Sequence, residues 1–181
     1  MKRYVLTGAP GSGKTSIIRW LEVAGYPVVE EAATDIIALR QAQGIPEPWT
    51  RPSFIDDITN LQKKRQMQTS GFASGPQFYD RSPICTYALS TYLEFPISIA
   101  LSNEIERINK EQIYQKQVFF IENLGFCEPT QARRISFEDS LRFERIHEET
   151  YRSFGYEIKK VGPQKLSDRV EKIKRYVLTS A

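Results

Sequence analysis

The sequence predicts an α/β protein built on a parallel β-sheet covered by helices. Two observations carry that expectation. Short apolar runs alternate with longer amphipathic stretches along the chain, which is the pattern of successive strand–helix–strand units. A glycine-rich turn follows the first apolar run and opens the first amphipathic stretch.

Taken in order, Arg3-Tyr4-Val5-Leu6-Thr7 reads as the first strand, and the helix after the turn places Ile17, Ile18 and Leu21 on one side and stops near Gly25. Pro27-Val28-Val29 reads as the second strand, feeding a helix with apolar positions Ala33, Ile36 and Ile37 that ends at Gly44. Pro46, Pro48 and Pro52 deny helix and sheet their donors, so 45–52 is expected as a loop. Ser53 and Asp56 have the spacing of a capping box for the next helix. Phe78-Tyr79 is a short third strand, and Ser82-Pro83 after it is a cap followed by proline at the first helical position. Val118 to Ile121 is the clearest buried strand. Ser136 opens a helix through Leu141, Ile146 and Tyr151, closed by Gly155; Tyr156 to Val161 is the fifth strand, and a helix with Val170, Ile173 and Val177 ends the chain.

Composition narrows the function classes. The 181 residues fit one domain, and no repeat, low-complexity tract or linker divides them, so 1–181 reads as a single unit. Charged residues make up 26% and hydrophobic residues 40%, an ordinary globular balance that excludes a disordered or fibrous chain. No apolar run is long enough to cross a bilayer and Met-Lys-Arg-Tyr leads into no signal-peptide core, so no membrane partner is expected. Cys85 and Cys127 make neither a disulfide framework nor a metal-ligand spacing, and a reducing cytoplasm is the expected compartment. A net charge of +3 without a basic run or an interleaved aromatic surface gives no footprint for nucleic acid.

The chemistry enters at Gly8-Ala9-Pro10-Gly11-Ser12-Gly13-Lys14-Thr15, which fits G-x-x-x-x-G-K-[ST] at every position. Glycines let successive backbone N–H groups turn inward around a phosphate, and the helix start behind them adds its partial positive charge. Lys14 can reach the β- and γ-phosphates, the Thr15 hydroxyl can hold Mg²⁺, and Ser16 continues the cradle into the helix. ATP with Mg²⁺ is the implied ligand. A guanine-reading segment of the form N-K-x-D is missing, because Asn109-Lys110-Glu111-Gln112 lacks the aspartate.

Tyr79-Asp80-Arg81-Ser82 is the second informative element. An acid at the carboxyl end of a parallel strand faces the ligand crevice, so Asp80 is the expected residue of the Mg²⁺ shell and Arg81 is available to a phosphate or an acidic substrate group. Glu122, which also ends a strand, competes for the metal role.

These elements together resemble a P-loop family, labelled an AAA domain, that is related to the ribosylnicotinamide kinase domain and more distantly to deoxynucleoside and thymidylate kinases. The resemblance rests on G-A-P-G-S-G-K-T at 8–15, V-V-E-E-A-A at 28–33, Y-D-R-S at 79–82, R-R at 133–134 and Y-x-x-x-G-Y at 151–156. It implies a three-layer sandwich with helices on both faces of a sheet ordered 2-3-1-4-5, ATP as donor, and a lid at about 123–136. By that resemblance Glu31 ends the second strand and faces the phosphoryl acceptor, where it would accept the proton of an attacking hydroxyl or bond a ribose; a carboxylate favoured by the start of a helix is the structural alternative. The family often carries arginine three residues on, where this chain has Thr34. Arg133 and Arg134 would close over the nucleotide, Arg134 against the charge that spreads during transfer; solvated surface arginines are the alternative.

Other residues carry less. His147, among Glu144, Glu148 and Glu149, reads as a surface residue, and Lys63-Lys64-Arg65 as a solvated helix face. Trp49 either lines the acceptor site or packs on the core. The functional expectation is an Mg²⁺-dependent phosphotransferase acting on a small nucleoside-like hydroxyl; the alternative is a regulatory ATPase switch read by a protein partner.

Overall fold

The structure, a computed structural model, describes residues 1–69, 75–125 and 136–179. Five strands form one sheet: β1 (Arg3–Thr7), β2 (Val28–Val29), β3 (Gln77–Asp80), β4 (Gln117–Ile121) and β5 (Glu157–Val161). Their order is β2-β3-β1-β4-β5 and every pairing is parallel, as the family resemblance implied. The helices are α1 (Lys14–Val23), α2 (Ala32–Ala42), α3 (Ser53–Thr69), α4 (Pro83–Tyr92), α5 (Ile99–Lys110), α6 (Phe137–Ser153) and α7 (Leu166–Thr179).

Alternation along the strands sorts the core into two layers. Tyr4, Leu6, Phe78, Phe119 and Ile121 face α1 and α7, where Ile17, Leu21, Val170 and Ile173 complete one apolar cluster. Val5, Tyr79 and Val118 point the other way, onto Ile55, Ile84, Leu101, Ile105 and Tyr151 from α3, α4, α5 and α6. A satellite cluster joins α2 to α3 through Ile36, Ile37, Phe54 and Ile58, and Trp49 packs against it half-buried.

Three local expectations give way. The proline-rich loop contains a single 3₁₀ turn at Pro48–Thr50, because proline at the first helical position needs no donor there. Ser53 is the first residue of α3 and not its cap, and Asp56 accepts a hydrogen bond from Ser98 Oγ instead of closing a capping box. Arg65 leaves the solvated face of α3: Nη1 donates to the carbonyls of Glu30 and Glu31 at 3.0 Å each, and Nη2 pairs with Asp35. The caps at Ser82 and Ser136 do form, accepting from Ile84 N at 3.3 Å and Asp139 N at 3.0 Å.

The register of β1 against β3 places the crevice. Leu6 lies opposite Asp80, and Arg81 N donates to Leu6 O at 3.0 Å, so the first turn after β1 and the first residues after β3 leave the sheet side by side. Gly8 makes the exit from β1 possible. Its φ is +128°, and a Cβ there would stand 2.2 Å from Ile121 O on β4. Backbone, unlike a side-chain tip, does not yield. Gly8→Ala is therefore expected to lower the unfolding free energy by about 3 kcal/mol or more, read as a shift of the urea midpoint; an unchanged midpoint would show that β1 and β4 separate easily.

Candidate active site

Gly13 caps α1 in the left-handed region at φ +85°, which aims the first turn of the helix at the loop it closes. Lys14 is buried, and its Nζ donates to Gly8 O (3.0 Å), Ala9 O (2.7 Å) and Ser12 Oγ (3.2 Å). Burial, then the charge of Arg81, brings the Lys14 ammonium down to about 7, against partial support from Asp80 and Glu31. Thr15 and Ser16 are exposed at the start of α1.

Asp80 ends β3, is buried, and its Oδ1 has no hydrogen-bond partner among the described residues. Burial, then the charge of Glu31, raises its carboxyl to about 6. Arg81 follows in the left-handed region at φ +74°, a conformation that costs a non-glycine residue on the order of 1 kcal/mol. That bend turns its guanidinium toward Glu31, whose Oε1 accepts from Nε at 2.5 Å. Glu31 sits between β2 and α2 as the N-cap residue of α2, not in the first helical turn. Its Oε2 accepts from Thr34 Oγ1 at 2.7 Å, so the threonine at the family's arginine position orients this carboxylate. Burial alone would push Glu31 up, but Arg81, Lys14 and the Thr34 hydroxyl outweigh it and hold the carboxyl below its usual range.

Lys14, Glu31, Asp80 and Arg81 thus share one corner, close enough for their charges to act on one another. The Glu122 carboxylate pairs with Lys160 at 3.9 Å on the β5 side. The oxygen donors in the corner fit a hard cation. An unpartnered buried carboxylate oxygen on Asp80, with the Thr15 hydroxyl at the head of α1, is the donor set Mg²⁺ takes alongside phosphate oxygens. Arg133 and Arg134, with most of the segment expected as a lid, lie outside the described residues.

Two residues of this region were not singled out correctly from sequence. His147 is fully buried, not a surface residue: Nδ1 meets Phe143 O at 2.9 Å and Nε2 meets Arg81 Nη1 at 3.2 Å. Its place among glutamates hid this, because α6 packs on α4 and β5 and the imidazole meets Arg81, 66 residues earlier in the chain. Arg169 on α7, which packs beside α1, donates from Nη2 to Ser12 O at 2.8 Å and Glu122 O at 3.2 Å, and its Nη1 lies 3.0 Å from where a Gly13 Cβ would be. It ties the phosphate loop to the end of β4. No local signal marks it, since it is one basic residue on an amphipathic helix.

The fold and the corner define an α/β P-loop domain. The AAA domain family matches residues 3–169, and the chain belongs to that family. No curated protein sequence matches the chain. Among solved structures it is similar to deoxyadenosine kinase from M. mycoides with the products dCMP and a flexible dCDP bound, at 14% identity and TM-score 0.64 over 99% of this chain and 100% of that one. The NadR protein in complex with NAD and AMP-PNP is similar at 15% identity and TM-score 0.69 over 97% of this chain, which spans 49% of NadR. At such identities the likeness shows the fold.

Asp80 gives the site a pH signature. Its folded pKa, near 6, lies above the ordinary carboxylate value, so the folded state holds the proton more tightly than the unfolded one. The associated stability is full below about pH 4 and is lost as pH rises through about 6. Asp80→Asn is expected to be more stable than wild type at pH 8, by on the order of 3 kcal/mol, with the advantage vanishing toward pH 4. Urea unfolding at the two pH values checks this; a variant weaker than wild type at pH 8 would mean that Lys14 and Arg81 fully compensate the carboxylate.

Proposed function

We propose that the chain is an ATP- and Mg²⁺-dependent phosphotransferase acting on the hydroxyl of a small, nucleoside-like acceptor. The observation that carries this reading is Glu31: a carboxylate outside the phosphate loop, gripped on one oxygen by Arg81 and on the other by Thr34, beside Lys14 and Asp80. Nucleotide binding and hydrolysis need only the loop and the metal acid. A second carboxylate, oriented and held ionised across the crevice, is what a hydroxyl acceptor needs.

Each residue then has a distinct task. Backbone N–H groups of Gly11, Ser12 and Gly13 cradle the donor phosphates, and Lys14 exchanges its carbonyl partners for phosphate oxygens, which favour its charged form. Mg²⁺, held by Thr15 and through Asp80, would offset negative charge on the phosphate oxygens. Glu31 accepts the hydroxyl proton as the acceptor oxygen bonds to the γ-phosphorus and the bond to the bridging oxygen breaks. Arg81 fixes Glu31 beforehand and keeps a positive charge beside the phosphoryl group. Two solved relatives support a nucleoside-like acceptor, the deoxyadenosine kinase by its name and NadR by its bound NAD and AMP-PNP.

The test begins with a thermal-shift screen of nucleosides and small alcohols in the presence of AMP-PNP, since a ligand of the folded state raises the melting temperature by mass action. With the best acceptor, Glu31→Gln is expected to keep ATP affinity within about threefold and to lose transfer by about a hundredfold or more. If no acceptor yields product in the wild type, and Glu31→Gln alters only stability, the regulatory switch replaces this reading.

A further inference from the structure

The Arg81 guanidinium is held at two points, and only one of them belongs to the acceptor side. Nε donates to Glu31; Nη1 meets His147 Nε2 at 3.2 Å, from a helix that follows β4 and lies 66 residues away in sequence. The tautomer of His147 is set by its surroundings. Nδ1 faces Phe143 O at 2.9 Å, a carbonyl that can only accept, so Nδ1 carries the proton and the Nε2 lone pair faces the guanidinium. The ring is fully buried and stands edge-on to Phe143 with centroids 4.2 Å apart, so its orientation is fixed by packing as well. Burial and the neighbouring Arg81 keep it neutral, which the geometry requires of an acceptor.

Neighbouring residues of α6 reach the end of β4 and β5. Glu144 accepts from Asn123 Nδ2 at 2.9 Å, just after β4, and Glu148 pairs with Lys160 at 3.2 Å. The helix is thereby anchored on both sides of His147, and His147 is a rigid post for Arg81. A guanidinium held at Nε alone can swing about that bond; a second bond at Nη1 fixes its plane. Nη2 is left without a partner among the described residues.

We infer that His147 is a positioning residue for the transfer proposed above: by accepting from Nη1 it locks the plane of Arg81, so that Nε stays on Glu31 and Nη2 stays presented to the incoming phosphoryl group or acceptor. The kinetic part of this inference rests on the phosphotransferase reading; the structural part does not. No proton need leave His147 in this role.

The test compares His147→Phe, which keeps ring volume and removes the acceptor, with His147→Gln, whose Oε1 can stand where Nε2 does. Transfer to the best acceptor of the screen is expected to show kcat lowered about tenfold or more in His147→Phe, with the KM for ATP within about twofold, and to recover to within about threefold of wild type in His147→Gln. Equal losses in both variants, or an unchanged kcat in His147→Phe, would falsify the positioning role. A second readout needs no acceptor: the ¹⁵N–¹H signal of Arg81 Nε, assigned by its disappearance in Arg81→Lys. It should exchange with water faster in His147→Phe and return toward wild type in His147→Gln; an identical signal in all three proteins overturns the inference whatever the kinetics. If the signal responds as expected but the wild type transfers phosphate to nothing, the functional reading fails and the locking of Arg81 stands. Should His147→Phe not fold, His147→Met carries the same comparison.

Discussion

Everything in the crevice depends on one pairing, the parallel register of β1 with β3. Leu6 opposite Asp80 puts the turn that begins at Gly8 next to the bend at Arg81. In a parallel sheet the strand ends on one edge all release their chains in the same direction. The register therefore decides which loops are neighbours, and β3, inserted between β1 and β2, brings an acid and a base to the phosphate loop from outside it. Gly8 is bound into the same arrangement from the other side, since the carbonyl of Ile121 on β4 occupies the space a side chain would need.

The charges gathered there are of both signs. Lys14 and Arg81 oppose Glu31 and Asp80, two against two, yet the balance is uneven. Arg81 and Glu31 satisfy each other directly, and Glu31 has Thr34 as well. Lys14 is left with carbonyls and a hydroxyl, and Asp80 keeps an oxygen with no partner. The consequence is visible in their ionisation: Lys14 falls to about 7 and Asp80 rises to about 6, each toward its neutral form. An anionic phosphate beside Lys14 and a cation beside Asp80 would restore both to their ordinary charge. The pair that is already satisfied joins β2 and β3, and the two groups that are not lie where the phosphate loop meets the end of β3.

How much of this could be read from the sequence follows the range of the interactions. The phosphate loop is local, with all its donors inside eight consecutive residues, and its pattern is complete in the chain. The strands were legible because burial on both faces leaves short apolar runs, Val118 to Ile121 being the plainest. The caps at Ser82 and Ser136 span only three residues and formed where expected. Failures came where a residue reaches beyond its own element. Ser53 and Asp56 have capping spacing, but the hydroxyl of Ser98 takes the carboxylate. Arg65 looked solvated because its partners, the carbonyls of Glu30 and Glu31, are 34 and 35 residues away. His147 and Arg169 are further cases: three glutamates nearby on α6, or an amphipathic helix with one more basic residue, say nothing about partners 66 and 157 residues away in the chain.

Where local rules are broken is itself informative. A non-glycine residue with positive φ, a buried carboxylate oxygen without a donor, and a lysine drawn toward neutrality would each lower stability in isolation. Arg81, Asp80 and Lys14 bring one of each into a single corner at the carboxyl ends of β1 and β3, while Glu94 and Gln112, also at positive φ, follow α4 and α5. Scattered over the molecule they would be unrelated defects. Together they make one under-satisfied corner, and local rules are expected to break where something other than stability sets the residues. The residues that hold this corner in place, His147 behind Arg81 and Arg169 behind Ser12, lie on the last two helices of the chain. The Arg169 bond is buried and the His147 bond half-buried, so the corner cannot be rearranged by the loop alone without also moving α6 and α7 against the sheet.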